Sequence, residues 1–156
     1  MLSAVMAYAP RQTKIASSTI DGIGLFADEF IASGTLVWRL QPGFDLEIAP
    51  HELRALPKLA RETFLKYAYL RRSSNTYILG FDDARFFNHS DTPNTRSIDT
   101  PDGSVNADVA AREINKGEEL TTDYRLFDSD AELKLANTNL QALEMTGRTD
   151  ASSTTQ

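Results

Sequence analysis

The chain has 156 residues, 41% hydrophobic and 24% charged, the proportions of one globular domain. Its 16 Lys and Arg against 22 Asp and Glu leave a net charge of -6 and an isoelectric point near 4.9, which disfavours a grip on nucleic-acid phosphates and favours cationic partners. It holds no cysteine and only two histidines, His51 and His89. Disulfides, thiolate zinc sites, iron–sulfur clusters and a cysteine nucleophile are thereby excluded, and no metal site is expected.

No stretch approaches the roughly 20 apolar residues of a membrane span, and residues 1–10 lack the basic start and long apolar run of a signal peptide. The expectation is a cytoplasmic protein, with the nucleus also open in a eukaryote, that engages neither membrane nor nucleic acid directly.

In chain order, Lys14–Ser18 reads as a strand, Asp21-Gly22 as a turn and Ile23–Ala27 as a second strand. Ser33-Gly34 turns into the β-branched and aromatic run Thr35–Trp38. From Pro50 to Leu70, apolar residues recur at three- to five-residue steps (Leu53, Leu56, Leu59, Phe64, Tyr67, Leu70), which predicts a helix broken in two at Pro57. Tyr77–Phe81 is a short strand, Asp91–Asp102 a loop or hairpin, and Val105–Ile114 a further strand. Ser129–Met145 predicts a C-terminal helix with Ser129 or Asp130 as N-cap and Gly147 as its stop. One echo is visible: Ile31-Ala32-Ser33-Gly34 and Ile114-Asn115-Lys116-Gly117 are both Ile-x-x-Gly turns that feed a strand. The architecture is mainly β, with a few helices.

Three short clusters carry possible chemistry. Gly22-Ile23-Gly24-Leu25-Phe26-Ala27 suits a hairpin turn or a close backbone approach to a ligand, and lacks the third glycine of a dinucleotide fingerprint. Arg85-Phe86-Phe87-Asn88-His89-Ser90, followed by Pro93-Asn94, is either a turn motif or a ligand loop, since Asn offers both donor and acceptor. In Glu118-Glu119-Leu120-Thr121-Thr122-Asp123-Tyr124 the carboxylates are solvated acids around a turn or, less simply, a hydrolytic acid–base pair. Tyr124 is a core residue or a buried hydroxyl with a role.

Together and in this order, the clusters resemble the SET-domain family of protein lysine methyltransferases, over about Lys14 to Tyr124. The first looks like the family's Gly-x-Gly motif, Asn88-His89-Ser90 with Pro93-Asn94 like its Asn-His-Ser-x-x-Pro-Asn signature, and Gly117–Thr121 with Asp123-Tyr124 like the motif that ends in the catalytic tyrosine. The resemblance implies small antiparallel sheets, β-clip-like, with a C-terminal pseudoknot that brings the second and third motifs together. It implies S-adenosylmethionine bound by Ile23, Gly24, Leu25, Asn88 and His89, with Arg85 and Tyr124 completing the set. A substrate lysine would enter from the opposite face, and Tyr124 would hold the reacting groups in line. Tyr67, Tyr69, Tyr77 and Thr122 are candidates for the walls of the lysine channel, the three tyrosines being equally readable as core. Asp82 and Asp83 would attract a basic substrate tail or simply belong to an acidic surface.

The sequence departs from many members of that family at two places. Asp91 stands where a cysteine often follows Asn-His-Ser, and the cysteine-rich zinc segment is missing, so this resembles a compact form. The expected layout is an N-terminal extension 1–13, a SET domain 14–128, a helix 129–146 closing the substrate side, and a flexible tail 147–156. Thr122 stands where Phe or Tyr often precedes the catalytic tyrosine by two. The expected activity is methyl transfer to lysines of a basic protein substrate, with a homodimer as a further partner. The alternative is a non-catalytic SET-like module that binds the cofactor or a basic peptide.

Overall fold

A computed structural model describes residues 13–99 and 106–137. The expected extension before Thr13, the tail and the second half of the C-terminal helix lie outside the described residues.

Strands β1 (Thr13–Ser17) and β2 (Ile23–Ala27) form an antiparallel hairpin whose turn ends at Gly22, with φ +46°. Then follow β3 (Leu36–Arg39), β4 (Leu46–Ile48), α1 (Pro50–Ala55) and α2 (Lys58–Tyr67). Next come β5 (Tyr69–Arg71), β6 (Thr76–Leu79), a 3-10 turn at Asp83–Phe86 and β7 (Asn88–His89). The chain continues through β8 (Thr95–Asp99), β9 (Asn106–Ala110), β10 (Glu119–Thr122) and a 3-10 turn at Tyr124–Leu126, and residues 131–137 are helical. Three small sheets result, with strand orders β1-β2-β10-β7, β3-β9-β8 and β4-β6-β5. Among the described residues no helix is long and apolar enough to cross a membrane.

Most expected elements appear near their predicted positions, and Pro57 does separate two helices as their N-cap and terminator. The helical reading of Tyr69 and Leu70 is corrected. Ala68 turns extended at φ −82°, ψ 153°, and residues 69–71 then pair with β6, Tyr69 opposite Ile78 and Leu70 opposite Tyr77. The apolar periodicity continued past the helix because this strand also half-buries Tyr69 and Leu70, so burial rather than period set the pattern. The strand β4 had no sequence signal: three residues are too few to establish alternation, and pairing with β6 defines it.

The repeated Ile-x-x-Gly turns form a local two-fold. Ile31 and Ile114 exchange backbone hydrogen bonds of 2.9 Å in both directions. Gly34 N–H donates to the Ala110 carbonyl at 2.8 Å, and Gly117 N–H donates to the Ala27 carbonyl at 2.7 Å. Each glycine has a positive φ, +78° and +88°, which an L side chain adopts at a cost. Ala27, Ile31, Ala110 and Ile114 are all essentially inaccessible to solvent. These turns therefore pack against each other at the centre of the main core, which also includes Leu25, Ile78 and Leu120.

The position of β10 sets up the site. It pairs antiparallel with β2, Leu120 opposite Leu25, and parallel with β7, Thr121 opposite Asn88 and Thr122 opposite His89. Side chains of the Pro93-Asn94-Thr95 segment complete its hydrogen bonding. Asn94 Nδ2 donates to the Glu119 carbonyl (2.8 Å), Asn94 Oδ1 accepts from Thr121 N–H (2.9 Å), and Thr95 Oγ1 donates to the Thr121 carbonyl (2.8 Å). One buried asparagine thus acts as a stretch of neighbouring strand for β10.

Candidate active site

The insertion of β10 brings the three sequence clusters together although about thirty residues separate the last two. Asn88 Nδ2 donates to the carbonyls of Asp21 (3.0 Å) and Ile23 (3.3 Å) and to Glu119 Oε1 (2.8 Å). Ser18 Oγ donates to Glu119 Oε2 at 2.9 Å. The glycine turn, the Asn-His-Ser loop and the acidic strand therefore share one hydrogen-bonded cluster. The reading of Glu119 as a solvated acid is corrected: its carboxylate lies against Gly24, where an added Cβ would sit 2.1 Å from Oε1. Glu118 does behave as a turn acid, accepting from Asn115 N–H at 2.9 Å and from Arg112. The Asn115 backbone bond leads the contacts that lower its carboxyl pKa. The two glutamates have separate partners and form no acid–base pair on one face.

His89 connects this cluster to Tyr124. Its Nδ1 accepts from Tyr124 N–H at 3.3 Å, and its Nε2 lies 3.3 Å from Asp91 Oδ1 and 3.2 Å from Arg125 Nη2. Burial leads in lowering its pKa, while the Asp123 carboxylate pulls the other way. Arg125 bonds both Asp91 and Asp123 beside it.

Tyr124 sits in the wall of a cavity of about 120 Å³. Its hydroxyl donates to the Phe87 carbonyl at 2.5 Å. The phenol pKa is pushed well above its ordinary value, first by burial and then by the carboxylates of Asp21, Asp128 and Glu119. It therefore remains a proton donor at every working pH. Asp21 and Glu119 belong to the glycine-turn cluster, whereas Asp128 lines the cavity. Tyr124 feels both.

The cavity walls are aromatic. Phe127 packs edge-on against Tyr69 (5.0 Å between centroids) and Tyr124 (6.1 Å), and Trp38 and Tyr67 contribute further. Thr122 is buried and faces the same space. Of the channel candidates, Tyr67, Tyr69 and Thr122 line the cavity. Tyr77 stands apart, packed on Phe64 with its hydroxyl bonded to Asp130 at 3.1 Å. Arg85 lines the cavity edge with its guanidinium 5.0 Å from the Phe86 ring. Of the glycine motif, Leu25 is buried in the core and Ile23 is half exposed.

The segment after Tyr124 is tied to the rest by Asp128. Its Oδ1 accepts from Leu70 N–H (3.0 Å) and Asp130 N–H (2.9 Å), and Oδ2 accepts from Lys134 Nζ (2.5 Å). Lys134, in the helical stretch 131–137, also donates to the Ala68 carbonyl at 2.7 Å. Trp38, Asp108 and Phe127 line the cavity and belong to none of the three sequence clusters, and Phe87 of the second cluster lines it with them. Asp108 carried a signal, an acid within the otherwise apolar run Ala107–Ala110.

A family model for the SET domain matches residues 22–125, two thirds of the chain. The chain belongs to the SET-domain family. Solved SET-domain structures share the fold at low identity. A candidate histone methyltransferase of Plasmodium falciparum is 22% identical over 73% of this chain and 93% of its own, with a TM-score of 0.52. The Chaetomium thermophilum Polycomb Repressive Complex 2 bound to GSK126 is 21% identical over 83% of this chain and 18% of its own, with a TM-score of 0.62. The ctPRC2 structure in an autoinhibited conformation bound to S-adenosylmethionine gives 20% identity, coverage of 84% and 17%, and a TM-score of 0.60. This SET domain thus spans less than a fifth of those Polycomb chains. In agreement with the family fold, it is built mostly from strands in small sheets, with few helices.

Proposed function

We propose that the chain is an S-adenosylmethionine-dependent protein-lysine N-methyltransferase. The observation that carries this reading is the buried Tyr124 hydroxyl, flanked by acidic groups on both sides and walled by aromatic rings on one. Acidic groups dominate the field at this hydroxyl: the Asp21, Asp128 and Glu119 carboxylates all act on it, and its own hydrogen-bond partner is the Phe87 carbonyl. Such a set fits cations, and both reactants of lysine methylation are cationic. The cofactor supplies a sulfonium methyl group and its own leaving group. Ile23, Gly24, Leu25, Asn88 and His89 would hold it, with Arg85 and Tyr124 at the margin.

The chain's own residues have two tasks. A lysine with the ordinary pKa near 10.4 is neutral in only about one molecule in a thousand at physiological pH. The apolar cavity disfavours the ammonium and so raises that fraction. Tyr124, anchored through its hydroxyl to Phe87 and through its backbone to His89, keeps the amine on a fixed line of approach. The helix from 129 onward would close the substrate side, a role supported by Asp128 and Lys134 at the cavity edge.

Labelled methyl transfer to a panel of basic proteins tests the reading. Tyr124→Phe is expected to lower turnover by about 100-fold or more while calorimetry still detects the cofactor. Equal signals from the variant and the wild type would sink the enzyme and leave a binding module.

A further inference from the structure

The cavity contains a second polar feature that Tyr124 does not explain. Asp108, in the centre of β9, is only 8% exposed. Its hydrogen-bond donor among the described residues is the Ser97 hydroxyl, 2.6 Å from Oδ1, and no described cation lies within salt-bridge distance. Trp38 of β3 stands opposite it in register, and the indole Nε1 is buried without a partner among the described residues. Both side chains line the Tyr124 cavity.

The surroundings of Asp108 leave the position of a cation open. Tyr69 of β5 is near enough for Asp108 to raise its phenol pKa, second only to burial. The cavity's basic residues are engaged elsewhere. Lys66 lies 5.2 Å from the Tyr67 ring and Arg85 5.0 Å from the Phe86 ring, and Lys134 is bonded to Asp128 and the Ala68 carbonyl. A buried carboxylate without a counter-ion is costly in a folded protein, and a matching ammonium removes that cost.

We propose that Asp108 receives the ε-ammonium of the substrate lysine in this cavity and accepts the proton that the amine must lose. This rests on the methyltransferase reading. One N–H bond of the ammonium breaks, an O–H bond forms on the Asp108 carboxyl, and the nitrogen keeps the electron pair that attacks the methyl. The proton passes from Asp108 to water once the methylated product, itself an ammonium, has left. Burial drives the two groups toward each other in acidity: it lowers the amine and pushes Asp108 up to about 6. An arginine could enter the same acidic cavity but would not give up its proton.

The chain's single tryptophan is the reporter. The probe is n-butylammonium chloride, titrated into 15N-labelled protein without cofactor while the Trp38 indole resonance is followed. A saturable shift is expected near pH 7.5, and Asp108→Asn should weaken binding about tenfold or more. Neutral n-butanol should bind both proteins alike. Below pH 6 the wild type should lose affinity while the variant's stays flat, which separates Asp108 from His89. Equal affinity of wild type and variant, or no saturable shift, overturns the proposal. If the variant fails to fold, unchanged wild-type affinity between pH 7.5 and pH 5 overturns it equally, and a fall in affinity that persists in His89→Gln supports it. None of these readings needs turnover. Failure of the methyltransferase reading shows separately, in the transfer assay with Tyr124→Phe.

Discussion

Gly24 is required for space rather than for backbone freedom. Its φ is ordinary, but a Cβ there would meet Glu119 Oε1 at 2.1 Å, Glu119 Cδ at 2.7 Å and Ser18 Cβ at 3.1 Å. Gly22 differs: it has a positive φ and nothing within 4 Å of an added Cβ. Gly24→Ala should therefore expel the Glu119 carboxylate from Asn88 and Ser18, at about 2–4 kcal/mol in denaturant unfolding. Glu119→Ala makes room for that methyl. In the double variant the two losses should sum to clearly more than the measured one. Strict additivity would mean that the carboxylate is not what fills the notch.

At the scale of elements, the central question is what holds β10 between β2 and β7. Asn94, 3% exposed, supplies both a donor and an acceptor to its backbone. Asn94→Ala strands two buried backbone groups and should cost about 2–4 kcal/mol by thermal or urea unfolding. Asn94→Asp should not restore the loss, because it removes the donor to the Glu119 carbonyl and sets a carboxylate oxygen against it. Methyl transfer should fall with either variant, since β10 carries Thr122 and leads into Tyr124. The paired turns give a milder test. Alanine at Gly34 or Gly117 meets no atoms within 4 Å, so only the left-handed backbone is strained. Each should lose about 1 kcal/mol, and nearly the same amount, because the two-fold gives them equivalent bonds.

For the whole molecule, half-buried His89 and buried Asp108 make opposite contributions to stability as pH falls. Burial lowers the His89 pKa below 6.5, so the unfolded chain takes up that proton first. The contribution of neutral His89 is complete above pH 6.5 and is lost as pH falls through that value. Asp108 is raised from 3.8 to about 6, so the native state penalises its ionised form. That penalty is on the order of 3 kcal/mol at neutral pH and is relieved as pH falls from about 6 toward 3.8. Asp108→Asn should therefore stabilise the protein by about 1–3 kcal/mol near pH 7.5 in urea unfolding. The advantage should shrink near pH 4.5. A variant less stable than wild type at neutral pH would make Asp108 a structural residue. Greater stability with weaker amine binding is the pattern of a site that gives up stability for function.

The sequence alone determined the strand-rich plan, the break at Pro57, the repeated Ile-x-x-Gly turns and the three motifs of the SET-domain family. These are local statements, carried by glycine, proline and polar residues whose preferences act over a few positions. The tertiary structure decided what depends on a partner distant in the chain. Tyr69–Arg71 is a strand because β6 lies beside it. Glu119 is a ligand of Asn88 rather than a solvated acid because β10 enters beside the glycine turn. Tyr77 and Tyr69, only eight residues apart, part company because Phe64 holds one ring and Phe127 the other. The absence of cysteine excluded a thiolate zinc site from the start. That an acid in β9 faces the same cavity as Tyr124 could be read only after three sheets had folded around it, because a side chain's burial depends on what packs against its strand.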